Sequence, residues 1–373
     1  MLRLFSPVTT VREVKQGIVS VTLMTDLPET QPRKPPTPLL LLYLSLAVAT
    51  LVSITVATTI GAVPASITDI TRTITSGGTS PMVSPQIATV IWDIRLPRVL
   101  LAATTGAGLA ITGVILQALV RNSLADPYIL GLNSGASVGA AAAMLFGVGA
   151  VFGDLALQAS AFIGAAVAAL IVFLLIRSTG AMSSLRLLMA GVAAGYILSA
   201  ITNFLIFASD NVEGTRSVMF WMLGSLATAS MTPVLVATII IVTVATAVLI
   251  GLGKHLDALA IGDDTALAVG INPERLRGLL LIIVCALVGS LVALTGSIGF
   301  IGLVIPHVAR RITRRGHRVV ISLAGFIGSI VLIWSDVIAR TLLAPQEIPI
   351  GIITAILGAP FLLILIRRMH ANT

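Results

Sequence analysis

Runs of about twenty apolar residues recur along the whole of this chain, and they limit what it can fold into. An α-helix of that length crosses the hydrocarbon core of a bilayer, which is about 30 Å thick. Only 10% of the residues are charged, whereas a soluble domain carries about 25%. We therefore predict an integral membrane protein. The apolar windows lie at 39–62, 98–120, 127–147, 156–176, 187–208, 232–252, 278–297, 319–342 and 348–367.

The windows predict helices, because the strands of a membrane barrel would alternate polar and apolar residues and these do not. The stretch 300–311 is too short to span a bilayer alone. It must cross, or nearly cross, if the basic segments on either side are to share one compartment. We therefore expect an all-α membrane protein with about ten transmembrane helices, one of them short.

The positions of the basic residues predict the orientation. With the N-terminus placed inside, all but five of the 23 Lys and Arg residues fall in segments assigned to the cytoplasm. This positive-inside bias predicts that both termini are cytoplasmic. It also explains the net charge of +8 without nucleic acid as a partner, so we expect contact with membrane lipid instead. The five outer residues are Arg72, Arg95, Arg98, Arg216 and Arg340.

The polar segments are too short to form a soluble domain. Residues 1–38 are basic and proline-rich and are expected to form a flexible cytoplasmic tail, followed by one transmembrane domain at 39–368 and a cytoplasmic end at 369–373. Cys285 has no partner, so no disulfide or cysteine metal site is expected. The sequence has no GxxxxGK[ST] phosphate loop. We expect no catalytic residue, no metal and no cofactor bound by this chain, and energy from ATP would come from a partner.

The cytoplasmic segment 253–277 contains signals for two helix starts. Asp264 is predicted to cap a short helix in "DDTALAVGI" and Gly270 to end it, while Asn272 and Pro273 are predicted to begin the next helix. Both a solvated loop and a docking platform for a cytoplasmic partner fit this pattern. Its charged residues are Lys254, Asp257, Asp263, Asp264, Glu274, Arg275 and Arg277.

Three of the outer arginines require an explanation. Arg95 and Arg98 lie in "IWDIRLPR", where Pro97 is predicted to keep the preceding backbone extended and to begin a helix. Both side chains should then project from one tight turn. They can contact lipid headgroups, pair with Asp93, or receive carboxylates from an external partner, because Arg makes forked contacts with them. Asp336 stands four residues before Arg340, the favourable order for an ion pair on one helix face. If Arg340 faces outward, it joins Arg95 and Arg98 in one receptor patch.

The stretch "GSIGFIGLVIPHVAR" predicts a break in the chain before the short helix. Gly296, Gly299 and Gly302 allow a sharp turn and close packing, and Pro306 and His307 are expected to end the short helix. A lone histidine of this kind is typical of a hydrogen-bonded helix end, since no second histidine or acidic cluster with metal spacing accompanies it.

Several long strings, in order and spacing, resemble the FecCD family of ABC-transporter permeases, which includes importers of vitamin B12, haem and iron siderophores. They cover nearly everything from about residue 90 to 368. The strings are "IRLPRVLLAATTGAGLAITGVILQALVRNSLADPYILGLNSGASVGA", "LRLLMAGVA", "FWMLGSL", "LAVGINPERLR", "GSIGFIGLVIPHVAR" and "EIPIGIITAILGAPFLLILI".

The resemblance implies a type II ABC importer permease fold and a set of partners. These are a second permease subunit, identical or homologous, a cytoplasmic ATPase dimer that uses ATP and Mg, and an external substrate-binding protein. It implies that Arg95, Arg98 and Arg340 receive glutamates of the binding protein, and that 253–277 holds the coupling helices on the ATPase. The residues expected at the ATPase are Asp257, Asp263, Asp264, Gly270, Glu274 and Arg275.

The resemblance also implies a translocation path along the fifth long helix and the segment 215–226. Candidate path residues are Asn203, Phe207, Phe220 and Trp221. The string 204–226 is most similar to siderophore permeases, so the expected substrate is a ferric siderophore, with haem or vitamin B12 as the alternative. Two other classes stay open: an ion-coupled secondary transporter, which would need charged groups near the bilayer centre where almost none occur, and a non-transporting membrane scaffold.

Overall fold

The computed structural model describes residues 39–61, 63–178 and 183–370. Throughout these ranges the regular structure is helical and contains no strand, so the all-α prediction is confirmed. The predicted tail at 1–38 and residues 371–373 lie outside the described residues. The α-helices of the described ranges are α1 (Leu39–Thr59), α2 (Ile67–Thr75), α3 (Pro85–Thr89), α4 (Leu96–Val120), α5 (Leu132–Phe146), α6 (Ala156–Ser178), α7 (Ser184–Phe207), α8 (Val212–Met222), α9 (Pro233–Gly251), α10 (Gly253–Ile261), α11 (Asp263–Ala268), α12 (Pro273–Thr295), α13 (Ile301–Ile312), α14 (His317–Thr341) and α15 (Ile350–His370).

Ten of these helices match the predicted crossings in position. Within the described residues, seven helical segments are long and apolar enough to cross a membrane: those containing α1, α4, α6, α7, α9, α12 and α14. The apolar helix α5 and the apolar part of α15, Ile350–Ile364, are shorter, and α13 has only 12 residues. The prediction of one markedly short helix among ten is therefore confirmed. We call the two ends of this bundle cytoplasmic and outer, following the orientation predicted from the positions of Lys and Arg.

The second crossing begins earlier than the sequence predicts. A one-turn π-helix, Val90–Arg95, joins α3 to α4, so the helical segment starts at Pro85 rather than near residue 98. The extended backbone expected before Pro97 is wrong, since Leu96 is α-helical with φ −62° and ψ −49°. The wider π turn accommodates the proline ring, which in a regular helix would meet the carbonyl four residues earlier.

The helix α4 forms the centre of the bundle, and most of its residues are buried. It packs against α14 where Gly106 and Gly328 meet backbone to backbone, so a side chain on either would collide with the other helix. Without a hydrophobic force between helices in lipid, such close approach is what holds membrane helices together. The bundle is thus built around one long helix, with Arg98 near its start and Arg121 just after its end.

A break separates α12 from α13, as the glycines predict. In this break, the Tyr128 hydroxyl is the hydrogen-bond partner of both backbone groups of Ile298. It donates to the carbonyl at 2.9 Å and accepts from the N–H at 2.8 Å. The prediction that Pro306 ends α13 is wrong, because the helix continues to Ile312. Pro306 has no N–H for the Gly302 carbonyl, and the Gln117 amide of α4 contacts that carbonyl instead, at 3.4 Å.

The segment 253–277 forms α10, α11 and the start of α12. Asn272 accepts from the N–H groups of Glu274 and Arg275, as predicted. Gly270 follows α11 with φ +80°, also as predicted. The capping role of Asp264 is wrong, because α11 already begins at Asp263 and has no side-chain cap. Asp263 is instead held by two arginines from neighbouring helices.

Candidate functional site

Charged groups gather at the outer end of α4 and α14, in what we call the outer cluster: Arg95, Arg98, Asp336, Arg340 and Glu347. The helix α4 and the π turn before it supply Arg95 and Arg98, while α14 supplies Asp336 and Arg340 at one-turn spacing. Glu347 stands three residues before α15. The arginines that the sequence placed in one patch do lie together.

Arg98 is the centre of this cluster. Its Nε donates to both carboxylate oxygens of Asp336, at 2.9 and 3.1 Å. Its Nη1 and Nη2 donate to the two oxygens of Glu347, at 2.8 and 3.0 Å. The Asp336 side chain is 1% exposed and that of Glu347 is 43% exposed, so one carboxylate is buried and the other reaches the surface. Two-bonded contacts of this kind are the strong form of an arginine–carboxylate pair.

Arg95 and Arg340 anchor the end of α1. Arg340 donates to the Ala57 carbonyl at 2.7 Å and lies 3.5 Å from Asp336, which confirms the predicted pair on one helix face. Arg95 donates to the carbonyls of Thr58 and Thr59, at 3.2 and 3.1 Å, and to that of Val63. The carbonyls of Ala57, Thr58 and Thr59 lie in the last turn of α1, where carbonyls have no partners within the helix. Both guanidinium groups thus complete the backbone of a neighbouring helix.

This geometry differs from the exposed patch that the sequence suggested. Arg95 and Arg98 are 4% and 7% exposed, because their partners are inside the same chain. Among the described ion pairs, Arg98 pairs with Asp336 and Glu347, not with Asp93. The role of the arginines in docking a binding protein stays a prediction. Sequence reasoning missed Glu347, although it is the only acidic residue between the last two apolar windows.

A cavity of about 380 Å³ opens beside the outer cluster. Arg98, Asp336 and Glu347 line one side of it, and Phe220 and Trp221 of α8 line another. The structure therefore brings two of the four predicted path residues next to the charged cluster. The backbone connects them further, since the N–H groups at the start of α15 donate to the carbonyls that end α8, Ile350 to Gly224 and Gly351 to Leu223.

The other two predicted path residues, Asn203 and Phe207, lie on α7 and do not line this cavity. Both are exposed, Phe207 to 87%. They share their helix with other large exposed side chains, which include Tyr196 and Phe204. The structure thus separates the four candidates into an exposed helix face and a cavity wall.

At the cytoplasmic end, Asp263 joins three helices. Arg277 of α12 donates to both of its oxygens, at 2.9 and 2.7 Å, and Arg121 at the end of α4 also donates to it. The hydrogen bonds and charge of Arg277, with those of Arg121, lower the pKa of Asp263 below its ordinary value. This carboxylate therefore stays ionised at neutral pH, and its two arginine partners belong to α12 and to the end of α4.

Asp257 of α10 also turns toward the bundle. Its Oδ1 accepts from the backbone N–H of His317, at 2.9 Å, and lies 2.6 Å from Nδ1 of the same residue. His317 is the first residue of α14, where free N–H groups favour a carboxylate. Of the six residues predicted to meet an ATPase, Asp257 and Asp263 therefore attach the short helices to the transmembrane helices.

The remaining four, Asp264, Gly270, Glu274 and Arg275, are exposed. Beside them stand three large apolar side chains, Ile261, Leu267 and Val269, which are 74%, 58% and 61% exposed. We call these seven residues the coupling surface. An exposed apolar patch with a charged rim is typical of a protein-binding site. Sequence reasoning missed its apolar part, since the same side chains also suit the buried face of a short helix.

Comparison with known proteins agrees with this architecture. Residues 49–368 match the model of the FecCD transport family. The cobalamin import system permease protein BtuC of Halobacterium salinarum is 38% identical over 76% of this chain and 75% of its own. The hemin transport system permease protein HmuU of Yersinia pestis is 39% identical over 75% and 84%. The iron-uptake system permease protein FeuC of Bacillus subtilis is 34% identical over 76% and 86%.

A solved structure of an ABC transporter, described as of the metal-chelate type and inward-facing, superimposes with a TM-score of 0.77. It is 30% identical, and the match covers 88% of this chain and 99% of the other. The family model spans all ten crossing helices except the first part of α1 and the end of α15. The chain therefore belongs to the FecCD transport family, as a membrane-spanning permease of the ABC importer kind.

Proposed function

We propose that this chain is the permease subunit of an ATP-driven importer that carries a ferric siderophore across the cytoplasmic membrane by alternating access. The observation that carries the proposal is the structural likeness to a metal-chelate transporter over 88% of the chain. The likeness of the string 204–226 to siderophore permeases favours a siderophore within that class. The distribution of Lys and Arg supports a cytoplasmic location for both termini.

The ATPase dimer is proposed to bind at the coupling surface. Leu267 and Val269 would enter a groove of the ATPase, while Asp264, Glu274 and Arg275 pair with charges around it. The ATPase binds ATP and Mg, and this permease would receive only the resulting movement. Each partner shifts the equilibrium between inward and outward states by its differential affinity for the two.

The external binding protein is proposed to dock over the outer cluster. Of its three arginines, Arg98 is the one that an incoming carboxylate could reach, because its surface partner Glu347 is 43% exposed. A glutamate of the binding protein would then replace Glu347 on Arg98. Arg95 and Arg340 would keep their contacts with α1 and add positive charge to the same site.

The second permease subunit, identical or homologous, is proposed to face α7. A row of large side chains, among them Tyr196, Phe204 and Phe207, is exposed on this helix. The substrate path would then run between the two copies of α7, past Asn203 and Phe207 on one part of its length and past Phe220 and Trp221 near the outer end. Membrane lipid would cover the remaining apolar faces.

Cobalamin is a second candidate substrate, because one of the relatives at 38% identity is named as a cobalamin permease. Haem is a third on the same argument. The proposal is tested by uptake into proteoliposomes that contain the permease, its ATPase and its binding protein. Ferrichrome, hemin and cyanocobalamin serve as probes.

We expect accumulation of ferrichrome that requires ATP inside the vesicle and binding protein outside. Accumulation of only cyanocobalamin or hemin would move the substrate to that class. Accumulation driven by a proton gradient without ATP would contradict the importer mechanism itself and favour a secondary transporter.

A further inference from the structure

Asp263 lies where three helices of the cytoplasmic end meet. It is the first residue of α11, and its carboxylate accepts two hydrogen bonds from Arg277 although the side chain is 42% exposed. Its neighbour Asp264 is exposed. Two adjacent acids on one short helix thus differ: Asp263 is bound by arginines of α12 and of the end of α4, and Asp264 is exposed.

Arg277 fixes the first of these contacts. It lies in the second turn of α12 and is only 2% exposed, so its guanidinium has little contact with water. Its paired carboxylate on Asp263 is 42% exposed, so the pair lies at the edge of the bundle. The start of α12 and the start of α11 are therefore joined by two hydrogen bonds between one guanidinium and one carboxylate.

Arg121 fixes the second contact. It ends α4 with φ +53°, in the left-handed region that a residue with a side chain rarely adopts. From that position its Nη2 donates to Asp263, and its Nε donates to the Leu259 carbonyl of α10 at 3.2 Å. One side chain at the end of α4 thus contacts both short helices.

The same end of α4 also contacts the broken part of the bundle. Gln117, one turn before Arg121, contacts the carbonyls of Gly302 and Leu303 in α13 at 3.4 and 3.3 Å. Its own oxygen accepts from Arg310 of α13 at 2.6 Å. The Arg121 backbone N–H donates to the Gln117 carbonyl, so a series of polar contacts runs from α11 through Asp263, Arg121 and Gln117 to α13.

We propose that Asp263 is a positioning residue that passes the movement of α11 to the cytoplasmic ends of α4 and α12, and that it makes no contact with the ATPase. This rests on the proposed function, in which the ATPase moves the coupling surface. The resemblance had grouped Asp263 with the ATPase contacts. Its geometry separates it from Asp264, Glu274 and Arg275, which remain at the surface.

The test compares Asp263→Asn with wild type in the assembled complex of permease, ATPase and binding protein. Hydrogen–deuterium exchange is followed with and without ATP in peptides covering 253–270 and 116–131. In wild type we expect ATP to change exchange in both. In Asp263→Asn we expect the change in 253–270 to persist and that in 116–131 to fall at least fivefold. Asp210→Asn, an exposed acid on the predicted outer side, serves as the control that behaves as wild type.

Three further measurements distinguish a link from an ATPase contact or a folding defect. The affinity of the ATPase for Asp263→Asn should stay within about twofold of wild type, whereas Asp264→Asn should weaken it. Transport per ATP should fall at least tenfold in Asp263→Asn and recover partly in Asp263→Glu, which keeps a carboxylate. Arg121→Gln, at a side chain that is 35% exposed, should show the same loss in the 116–131 peptide if Asp263→Asn does not fold.

An unchanged response of the 116–131 peptide in both variants would overturn the proposal. So would a loss of ATPase affinity in Asp263→Asn large enough to explain its transport defect. The exchange experiment needs no substrate, so it tests the role of Asp263 separately from the proposed function. Failure of the proposed function would appear instead as absent ATP-dependent uptake by the wild-type protein.

Discussion

Arg98 and Glu347 form a two-bonded ion pair between residues 249 positions apart in the sequence, with N–O distances of 2.8 and 3.0 Å. Glu347 is the exposed carboxylate partner of Arg98 in the outer cluster, and Asp336 is the buried one. Glu347 therefore occupies the place that a docking carboxylate would take. Any partner that brings an acid to Arg98 must compete with it.

The variant Glu347→Gln should bind the external binding protein several-fold more tightly than wild type, because the competing charge is gone while the arginine remains. Surface plasmon resonance on permease in nanodiscs measures this, and the gain should shrink at high salt. Glu213→Gln, an exposed acid at the start of α8, is the matched control. Unchanged or weaker binding would show that Glu347 is not a competitor.

The variant Asp336→Asn should destabilise the protein by about 3–5 kcal/mol, since it removes the buried partner of Arg98 and Arg340. Glu347→Gln should cost far less, because an exposed ion pair contributes at most about 1 kcal/mol. Thermal unfolding in detergent compares the two. Equal losses would mean that burial does not decide the strength of these pairs.

The variant Tyr128→Phe should cost about 1–3 kcal/mol, because it leaves both the N–H and the carbonyl of Ile298 without their partner. Amide exchange at Ile298 should also accelerate. Tyr196→Phe, at a side chain that is 77% exposed, should have no such effect. Normal protection of the Ile298 amide in Tyr128→Phe would refute the role of this hydroxyl in the break.

The double variant Leu267→Ser, Val269→Ser should weaken ATPase binding by at least tenfold, since burial of each side chain contributes about 1.5–3 kcal/mol and 1.4 kcal/mol is a factor of ten. Co-purification and titration calorimetry measure it. Leu342→Ser removes an equally exposed leucine at the outer end and should leave the affinity unchanged. Full affinity in the double variant would place the ATPase elsewhere.

The contact of Asp263 should depend on pH in one direction. Because its arginines lower its pKa in the folded state, its contribution to stability is complete above the unfolded value of about 3.9. It is lost as the pH falls through the lower folded pKa. Exchange of the 253–270 peptide between about pH 5 and pH 2.5 should show this loss in wild type and not in Asp263→Asn.

The features that the sequence predicted well depend on local chemistry. Apolar run length placed the helices, Asn272 and Pro273 marked the start of α12, and the glycines after Thr295 marked the break. Local reasoning was wrong for Pro306, which leaves the Gly302 carbonyl without its helical partner. The Gln117 amide, 185 residues before Gly302, donates to that carbonyl. A distant partner of this kind leaves no pattern near the proline.

The outer and cytoplasmic clusters show the same limit. Arg95, Arg98 and Arg340 could be grouped from their side of the membrane, but the depth of their burial depends on Asp336, Glu347 and the end of α1. Asp263 and Asp264 are adjacent and chemically alike, so only the positions of Arg121 and Arg277 decide which one is bound by arginines. Such choices depend on how helices pack and not on the residues nearby.

The helix α4 carries Arg98 near one end and Arg121 at the other, which places the two side chains about 35 Å apart along one axis. Near its middle it packs against α14 at Gly106, with no room for a side chain between the two backbones. A helix that is held near its middle can tilt more easily than it can slide along its axis. A tilt of α4 at the outer membrane face would then move its cytoplasmic end in the opposite direction. In the proposed importer, this one helix would couple substrate delivery outside to the nucleotide state of the ATPase inside.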